Sequence, residues 1–249
     1  MNAVVLAGGP PDAIAALEPG AANKAFVPIA GITLVERTLR ALREVPRIER
    51  IVVVAPPETH DRTDLALADE RRPDGARMIE SLTSGLAGFD PTQPVLVAAS
   101  DLPMLTRDAL DEVIDAVIAR NADVAYSCLE RRYHDARFAN VPHTWARLRE
   151  GQFCGGGVTA IKPRALPQLA QLLDSLGAAR KAPLRLASIL GWDIVPQFVL
   201  GRLSIASAEA RATRILGAPA AAIQCTHPEI AINVDRVSDV ALAEMLLAR

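Results

Sequence analysis

Two aspartates each follow an apolar run, and this placement is typical of metal-binding carboxylates. Asp101 ends the run at 98–100 and precedes a proline-restricted turn, while Asp235 ends the run at 232–234. If residues 232–235 are extended, Asn233 points to the same side as Asp235. Two carboxylates on separate strand ends could together hold one Mg²⁺, with water and phosphate oxygens as its other ligands. Asp101 could equally cap a turn before the next helix.

A glycine pair and a lysine near the start suggest binding of a phosphorylated ligand. Leu6, Ala7, Gly8 and Gly9 follow the first apolar run, and glycines let backbone N–H groups approach a nucleotide closely. Lys24 is one cation in a largely apolar stretch, where it could neutralise a triphosphate. Taken alone, a tight turn and a surface lysine explain these residues as well.

These residues need a scaffold that brings strand ends together, and the chain predicts a parallel sheet. Short apolar runs alternate with helix-like stretches. Strands are predicted at Ala3–Leu6, Ile51–Ala55, Val95–Ala99 and Val124–Ser127. Crossover helices are predicted at Thr33–Val45 and Asp108–Ala119, where apolar residues recur on one face. We therefore expect an α/β, Rossmann-like, mostly parallel sheet with helices on both faces, which binds ligands at its carboxyl edge.

The second half of the chain is less regular. From Arg131 to about residue 149 aliphatic residues are few, which predicts a small irregular lobe on the acceptor side of the sheet. A strand is predicted at 158–162 and another at Glu229–Val234, with extended chain at Trp192–Leu200. Helices are predicted at Pro167–Leu176, Leu184–Leu190, Ala206–Leu216 and Ser238–Ala248. We expect one domain over 1–249, with a nucleotide-binding part at about 1–128 and an acceptor-binding and closing part at 129–249.

Composition narrows the classes of partner. The 249 residues are half hydrophobic, and the net charge of −2 arises from 27 basic and 29 acidic residues without a basic stripe. We therefore expect no nucleic-acid partner. The three cysteines show no Cys-x-x-Cys spacing, and no run of about 18 apolar residues occurs, so we expect a cytoplasmic protein without a membrane partner. The oligomeric state is not readable from the sequence.

Five motifs occur in one order along most of the chain. They are Leu-Ala-Gly-Gly at 6–9, Lys24 followed by Pro28 and Gly31, Ser-Asp-Leu-Pro at 100–103, the run 155–163 that begins with three glycines, and Asn-Val-Asp-Arg-Val-Ser-Asp at 233–239. Together they resemble the nucleotidyltransferases of the nucleotide-diphospho-sugar transferase fold. The group that includes molybdenum-cofactor guanylyltransferase is especially similar.

The resemblance implies transfer of a nucleoside monophosphate from an NTP, by preference GTP or CTP, to a phosphorylated small molecule, with release of pyrophosphate. It implies Lys24, Asp101 and Asp235 as catalytic residues, the two aspartates holding Mg²⁺. The implied nucleotide contacts are Leu6, Ala7, Gly8, Gly9, Lys24 and Ser100, with Ser81 and Gly85 on a helix that resembles the base-recognition helix of cytidylyltransferases. The implied acceptor contacts are Thr144, Arg147, Gly155, Gly156 and Gly157.

The loop departs from the family pattern, and this keeps other functions open. Members usually continue with Gly-x-Arg after the two glycines, whereas this chain has Pro-Pro-Asp at 10–12 and an insertion-like stretch at 13–22. Arg37 or an arginine within 131–149 could replace the missing cation. One alternative is a nucleotide-binding or regulatory protein that has lost the chemistry. The third possible function is that of an NDP-sugar-dependent glycosyltransferase, although Asp101 has no second acid in an Asp-x-Asp motif.

Overall fold

The computed structural model describes residues 1–139, 141–179 and 182–248. The helices are α1 (Leu34–Arg43), α2 (Met78–Leu86), α3 (Arg107–Arg120), α4 (Arg131–Phe138), α5 (Leu166–Ala179), α6 (Pro183–Leu190), α7 (Ile194–Val199), α8 (Ile205–Leu216) and α9 (Val237–Leu247). The strands are β1 (Asn2–Leu6), β2 (Pro28–Ile29), β3 (Ile32–Thr33), β4 (Arg50–Ala55), β5 (Glu70–Pro73), β6 (Val95–Ala99), β7 (Val124–Glu130), β8 (Ala146–Arg147), β9 (Gln152–Ile161) and β10 (Ala220–Cys225).

One mixed sheet organises the molecule. Its strand order is β10-β7-β9-β6-β1-β4-β5, with β8 added beside β9, and β2 pairs with β3 in a separate hairpin. Along this order every pairing is parallel except the two that β9 makes with β6 and β7. The mostly parallel α/β sheet predicted from the alternating pattern is therefore confirmed. The ends of β1 and β6 lie side by side, because Leu6 pairs with Ala99.

Both faces of the sheet are covered, which explains the nearly continuous apolar strands. One core cluster joins the sheet to α1 and α3, and a second joins it to α2 and α5. Thr33 and Thr106 cap α1 and α3 through hydrogen bonds that their side chains accept from Glu36 N and Ala109 N. Within the described residues, no helix is both long and apolar enough to cross a membrane.

Several predicted elements are confirmed, and three stretches differ. The four predicted strands correspond to β1, β4, β6 and β7, and the predicted crossover helices correspond to α1 and α3. Trp192–Leu200, predicted to be extended, contains the helix α7. Pro196 is the third residue of α7, in the first turn, where backbone N–H groups have no intrahelical acceptor, so the proline costs no hydrogen bond.

In the other two stretches, too, the local sequence pattern did not indicate the observed structure. Glu229–Val234, predicted as a strand, forms a 3₁₀ helix at Pro228–Ala231, and its apolar residues are buried in the core without strand pairing. The predicted irregular lobe begins with the helix α4. Only His134 and Phe138 are buried in α4, so the segment lacks the repeated apolar spacing that identifies a helix.

A buried ion cluster lies at the opposite edge of the sheet from the aspartates. Asp123 accepts two hydrogen bonds from Arg164, at 2.8 and 2.6 Å, and lies 3.4 Å from Lys162 Nζ. Asp123 and Lys162 are almost fully buried. The hydrogen bonds from Arg164 hold the pKa of Asp123 below the ordinary carboxyl value.

Asp123→Ala is expected to lower the free energy of unfolding by about 3 kcal/mol, because it leaves the Lys162 ammonium buried without its carboxylate. Urea unfolding at neutral pH measures the change. Asp115→Ala, which breaks an exposed pair with Arg47, should cost under about 1 kcal/mol. Because the pKa of Asp123 is lowered in the folded state, its contribution to the free energy of unfolding is present above the ordinary carboxyl pKa. That contribution disappears as pH falls through the folded-state pKa. Equal costs for the two variants would contradict the prediction.

Candidate active site

Asn23 joins the glycine loop to Lys24. Its Nδ2 donates to the carbonyl oxygens of Ala7 at 2.9 Å and Gly9 at 3.3 Å, and its Oδ1 accepts from Ala25 N at 2.9 Å. Asn23 is thus the N-cap of the 3₁₀ helix at Lys24–Phe26 and is nearly fully buried. The sequence interpretation missed this residue, although asparagine is a preferred N-cap and precedes Lys24 directly.

The insertion after the glycines is folded against the protein. Asp12 Oδ1 accepts hydrogen bonds from Ile14 N and Ala15 N, which starts a 3₁₀ helix at Ala15–Leu17. Ile14 is buried in a small cluster that includes Ile29 and Val234. The insertion therefore packs against the β2–β3 hairpin and the segment that carries Asp235.

Lys24 lies between the two aspartates. Its Nζ is 2.6 Å from Asp101 Oδ2, 2.7 Å from Asp235 Oδ1 and 3.0 Å from the carbonyl oxygen of Val234. Burial by itself would lower the pKa of Lys24, but the charges and hydrogen bonds of Asp101 and Asp235 outweigh it, and the pKa is raised. The lysine is therefore an ammonium at neutral pH and neutralises part of the carboxylate charge.

The same acids have oxygens suited to a divalent cation. Asp101 Oδ1 is buried and has no hydrogen-bond partner among the described residues. Asp235 is more exposed, and its Oδ2 accepts from Asn233 Nδ2, the side chain predicted to lie beside it. Mg²⁺ commonly takes one or two protein carboxylates and completes its shell with phosphate and water. The donor set fits that pattern, and no group of three or more metal-ligating side chains occurs in the described part of the chain.

A cavity of about 620 Å³ opens between the glycine loop, the start of α2 and the sheet. Its wall includes predicted nucleotide contacts, namely Leu6, Gly8, Gly9 and Ser81. Two other predicted nucleotide contacts, Ala7 and Ser100, have buried side chains. The cavity volume is in the range of small-molecule sites, roughly 300–1,000 Å³.

The sequence interpretation missed two residues near the glycine loop, Asp74 and Arg77. Asp74 Oδ2 accepts a hydrogen bond from Gly9 N at 2.9 Å, so a carboxylate contacts the N–H of the loop. A Cβ atom on Gly8 would lie 2.4 Å from Asp74 Cβ, which explains why the loop needs glycine there. Arg77 lines the 620 Å³ cavity and donates a hydrogen bond to Glu80. Neither residue follows a pattern that separates it from an ordinary surface charge.

Gly85 does not line this cavity, contrary to the role that the resemblance implies. A Cβ atom there would lie 2.6 Å from Val4 Cγ1 and 2.9 Å from Val54 Cγ2. The glycine therefore allows α2 to approach β1 and β4 closely.

Gly85→Ala is expected to lower the free energy of unfolding by about 1–3 kcal/mol through overpacking, with little change in NTP affinity of the folded protein. Chemical unfolding and calorimetric NTP titration measure the two effects. Ser84→Ala, one residue earlier and outside that contact, is the control. An NTP affinity loss of tenfold or more without destabilisation would restore a base-contacting role.

The three glycines of β9 each leave room for a neighbouring side chain. Added Cβ atoms would lie 2.1 Å from Tyr126 Oη at Gly155, 2.3 Å from Ser127 Oγ at Gly156 and 2.5 Å from a methyl group of Leu102 at Gly157. Gly156 and Gly157 line the 620 Å³ cavity on the nucleotide side. Gly155 instead borders a second, polar cavity.

The polar cavity, of about 470 Å³, lies beside Asp235. Thr144, an implied acceptor contact, lines it together with His143 and Arg236. Arg147 lies outside it, on β8, where its side chain packs beside Gly201. The structure therefore brings Thr144 and Gly155 to the site but not Arg147.

Of the five arginines within 131–149, four form ion pairs and Arg147 packs beside Gly201. Arg37 donates to the carbonyl oxygen of Ile29 and supports the hairpin. The pairs in and near the lobe are Arg131 with Asp135, Arg132 with Glu130, Arg137 with Glu229, and Arg149 with Glu150. The arginines that border the cavities are Arg77 and Arg236.

Comparisons with known proteins agree with this fold. A hypothetical transferase from Thermus thermophilus is 36% identical, with a TM-score of 0.83 over 96% of this chain and 98% of that chain. A 4-diphosphocytidyl-2C-methyl-D-erythritol synthase from Anaerococcus prevotii is 12% identical, with a TM-score of 0.62 over 100% of this chain and 98% of that chain. A 2-C-methyl-D-erythritol 4-phosphate cytidylyltransferase, also from Thermus thermophilus, is 19% identical, with a TM-score of 0.56 over 99% of this chain and 98% of that chain.

The last two similarities concern the fold alone. A comparison with curated proteins finds no match. The MobA-like NTP transferase domain matches residues 3–188, which is most of the chain. The protein therefore belongs to the MobA-like NTP transferase family, a family of nucleotidyltransferases.

Proposed function

We propose that the protein transfers a nucleoside monophosphate from an NTP to a phosphorylated small molecule and releases pyrophosphate, with Mg²⁺ bound by Asp101 and Asp235. The contact of Lys24 Nζ with both carboxylates carries this proposal. It concentrates one cation and two metal-ligating oxygens beside a glycine-lined cavity large enough for a nucleotide.

In the proposed reaction, an oxygen of the acceptor phosphate attacks the α-phosphorus of the NTP, and the bond to the pyrophosphate oxygen breaks. No nucleophile from the protein is needed. The backbone N–H groups of Gly8 and Gly9 bind phosphate oxygens, and the Lys24 ammonium neutralises charge that builds up on them. When bound, Mg²⁺ supplies Lewis-acid stabilisation of the phosphoryl oxygens.

The base side of the cavity is formed by α2. Ser81 Oγ accepts from Gly75 N at 3.0 Å, which holds the loop before α2 against the helix. A guanine or cytosine base would lie against Ser81 and the backbone around Gly75 and Arg77, residues that border the cavity. The preference for GTP or CTP stays a prediction.

We also propose that residues 1–249 work as one domain. The part before residue 129 contributes the glycine loop, Lys24 and Asp101, while the part after it contributes β9, β10 and Asp235 to the same sheet and site. A cytoplasmic location stays a prediction from the cysteine content.

A nucleotide-binding protein without turnover is the second candidate, and a specific contact favours it. Lys24 already occupies both carboxylates, and Asp74 already accepts from Gly9 N. In the absence of the usual loop arginine, a bound nucleotide must displace these contacts without that cation. A glycosyltransferase has less support, because the residues two positions from Asp101 are Ala99 and Pro103, so no Asp-x-Asp motif is formed.

Pyrophosphate release from each of the four NTPs with Mg²⁺, across a panel of phosphorylated acceptors, tests the proposal. Release that requires NTP, acceptor and Asp101 supports the transferase. Tight NTP binding without release across the panel favours the binding protein, and release of a nucleoside diphosphate from an NDP-sugar favours the glycosyltransferase.

A further inference from the structure

We propose that the acceptor carries an apolar chain, which binds in a third cavity between the sheet and helices α5 and α8. This inference rests on the proposed function and specifies its acceptor class: a phosphate monoester of an aliphatic alcohol or a similar amphiphile. The cavity has a volume of about 370 Å³. It lies beyond the site that holds Lys24 and the aspartates.

The wall of this cavity is almost entirely apolar. Strands β7, β9 and β10 form its floor, and Leu169 and Leu172 of α5 with Ile205 and Ala208 of α8 form its roof. Glu209 is the one carboxylate or cationic side chain among the lining residues. Its Oε1 accepts from Ala222 N and from Arg120, so it is engaged in the structure of the wall.

Such a wall selects the hydrocarbon part of a ligand and excludes its phosphate. A phosphate placed there would lose water without gaining a cation, which is costly. A hydrocarbon chain would instead be removed from water, at a gain of about 0.8 kcal/mol for each buried methylene. The thiol of Cys128 does not alter this, because burial raises its pKa to about 11 and keeps it neutral.

The cavity adjoins the polar cavity in which the phosphate would react. It shares Tyr126, Cys154 and Gly155 with the polar cavity beside Asp235. It also shares Tyr126 with the nucleotide cavity, so all three cavities meet at this side chain. The space that a Cβ atom of Gly155 would fill is taken by Tyr126 Oη, so the tyrosine side chain lies at the boundary between the polar and apolar cavities.

A single amphiphile can therefore span the polar and apolar cavities. Its phosphate would lie near Thr144 and Arg236, next to Asp235, and its chain would pass Tyr126 into the space below α8. A small polar acceptor such as a polyol phosphate would leave the apolar cavity unfilled. The polarity of the two adjoining cavities thus distinguishes between acceptor classes.

The test compares calorimetric binding of ethyl phosphate and octyl phosphate, below the micelle concentration of the latter and without NTP. If the chain enters the cavity, affinity should rise up to about fourfold for each added methylene that is buried, and we expect octyl phosphate to bind at least about tenfold more tightly. Ala208→Phe fills the cavity and should reduce that ratio to under about threefold. Ala210→Phe makes the same change at an exposed position of α8 and should retain the ratio.

If Ala208→Phe does not fold, Ala222→Leu fills the cavity from the strand side. A wild-type ratio near one, or a tenfold ratio that survives the filling variants, overturns the proposal. A change in oligomeric mass on filling the cavity, without any dependence on chain length, also overturns it and identifies a second copy as the occupant. This binding test does not depend on turnover. If chain length affects binding but the separate assay finds no pyrophosphate release, the proposed reaction is contradicted and this binding site is not.

Discussion

Asp101→Asn is expected to reduce kcat by about a hundredfold or more while leaving the protein folded. Asparagine keeps the shape of the side chain but removes the negative charge that binds a metal and pairs with Lys24. Loss of one preorganised electrostatic group in an active site typically costs about 10²–10³ in rate. Pyrophosphate release under saturating NTP and acceptor measures the effect.

The stability of this variant should change little. Burial raises the pKa of the Asp101 carboxyl group because it disfavours the charged form, whereas the ion pair with Lys24 favours that form. Removing the charge therefore removes the desolvation penalty of Asp101 but also loses its attraction to Lys24. We expect the free energy of unfolding to shift by no more than about 2 kcal/mol. Asp108→Asn, an exposed carboxylate in the first turn of α3, is the control and should turn over like wild type. Turnover by Asp101→Asn within threefold of wild type would exclude Asp101 from the proposed chemistry.

Lys24→Met is expected to have a comparable effect on rate and an opposite effect on metal binding. Methionine cannot neutralise phosphate charge, so kcat should fall by about a hundredfold. However, Lys24 Nζ contacts the carboxylates of Asp101 and Asp235 that we propose as metal ligands. Removing that competing ammonium should tighten Mn²⁺ binding without nucleotide by at least about tenfold, because like charges at this distance repel strongly.

Lys24→Arg is the matched control, because it keeps a positive charge beside the two acids. Its Mn²⁺ affinity should stay near the wild-type value. Since the folded-state pKa of Lys24 is raised, the ammonium and its stabilising pairs persist through neutral pH and are lost only as pH rises through that folded value. The positive charge of Lys24 should therefore be constant from about pH 6 to 8. Equal Mn²⁺ affinities for wild type and Lys24→Met would contradict a shared position for lysine and metal.

The site has two parts, and substitutions in each part are expected to have different effects on activity. Variants of Lys24 or Asp101 affect charge at the reacting phosphates and should lower turnover with every acceptor. Variants of Ala208 affect only the proposed chain-binding cavity and should change the ratio between acceptors. The two sets of measurements therefore separate a fault in the reaction from a fault in acceptor recognition.

Local sequence patterns were sufficient for the framework and for the two aspartates. The apolar runs that became β1, β4 and β6 are largely buried, and that of β7 is buried at alternate positions, so each strand can be recognised from its own residues. Parallel strands end at a common edge, so the position of Asp101 directly after β6 already indicated where ligands bind. Where apolar spacing was weak, as in α4, or interrupted by Pro196, as in α7, the pattern failed because secondary structure there depends on what the segment packs against.

Tertiary structure alone decided which side chains meet. Lys24 and Asp235 are 211 positions apart, and their contact depends on how the last segment packs beside β6. Tertiary packing also brings Asp74 to the glycine loop, where it accepts a hydrogen bond from Gly9 N. The role of Gly85 likewise follows from the distance between α2 and the sheet. Charge and periodicity are local properties of a chain, whereas the choice of partner across a sheet edge is set by packing of elements distant in sequence. For this reason the sequence determined the fold class and the chemistry of individual residues, and the folded structure determined the site.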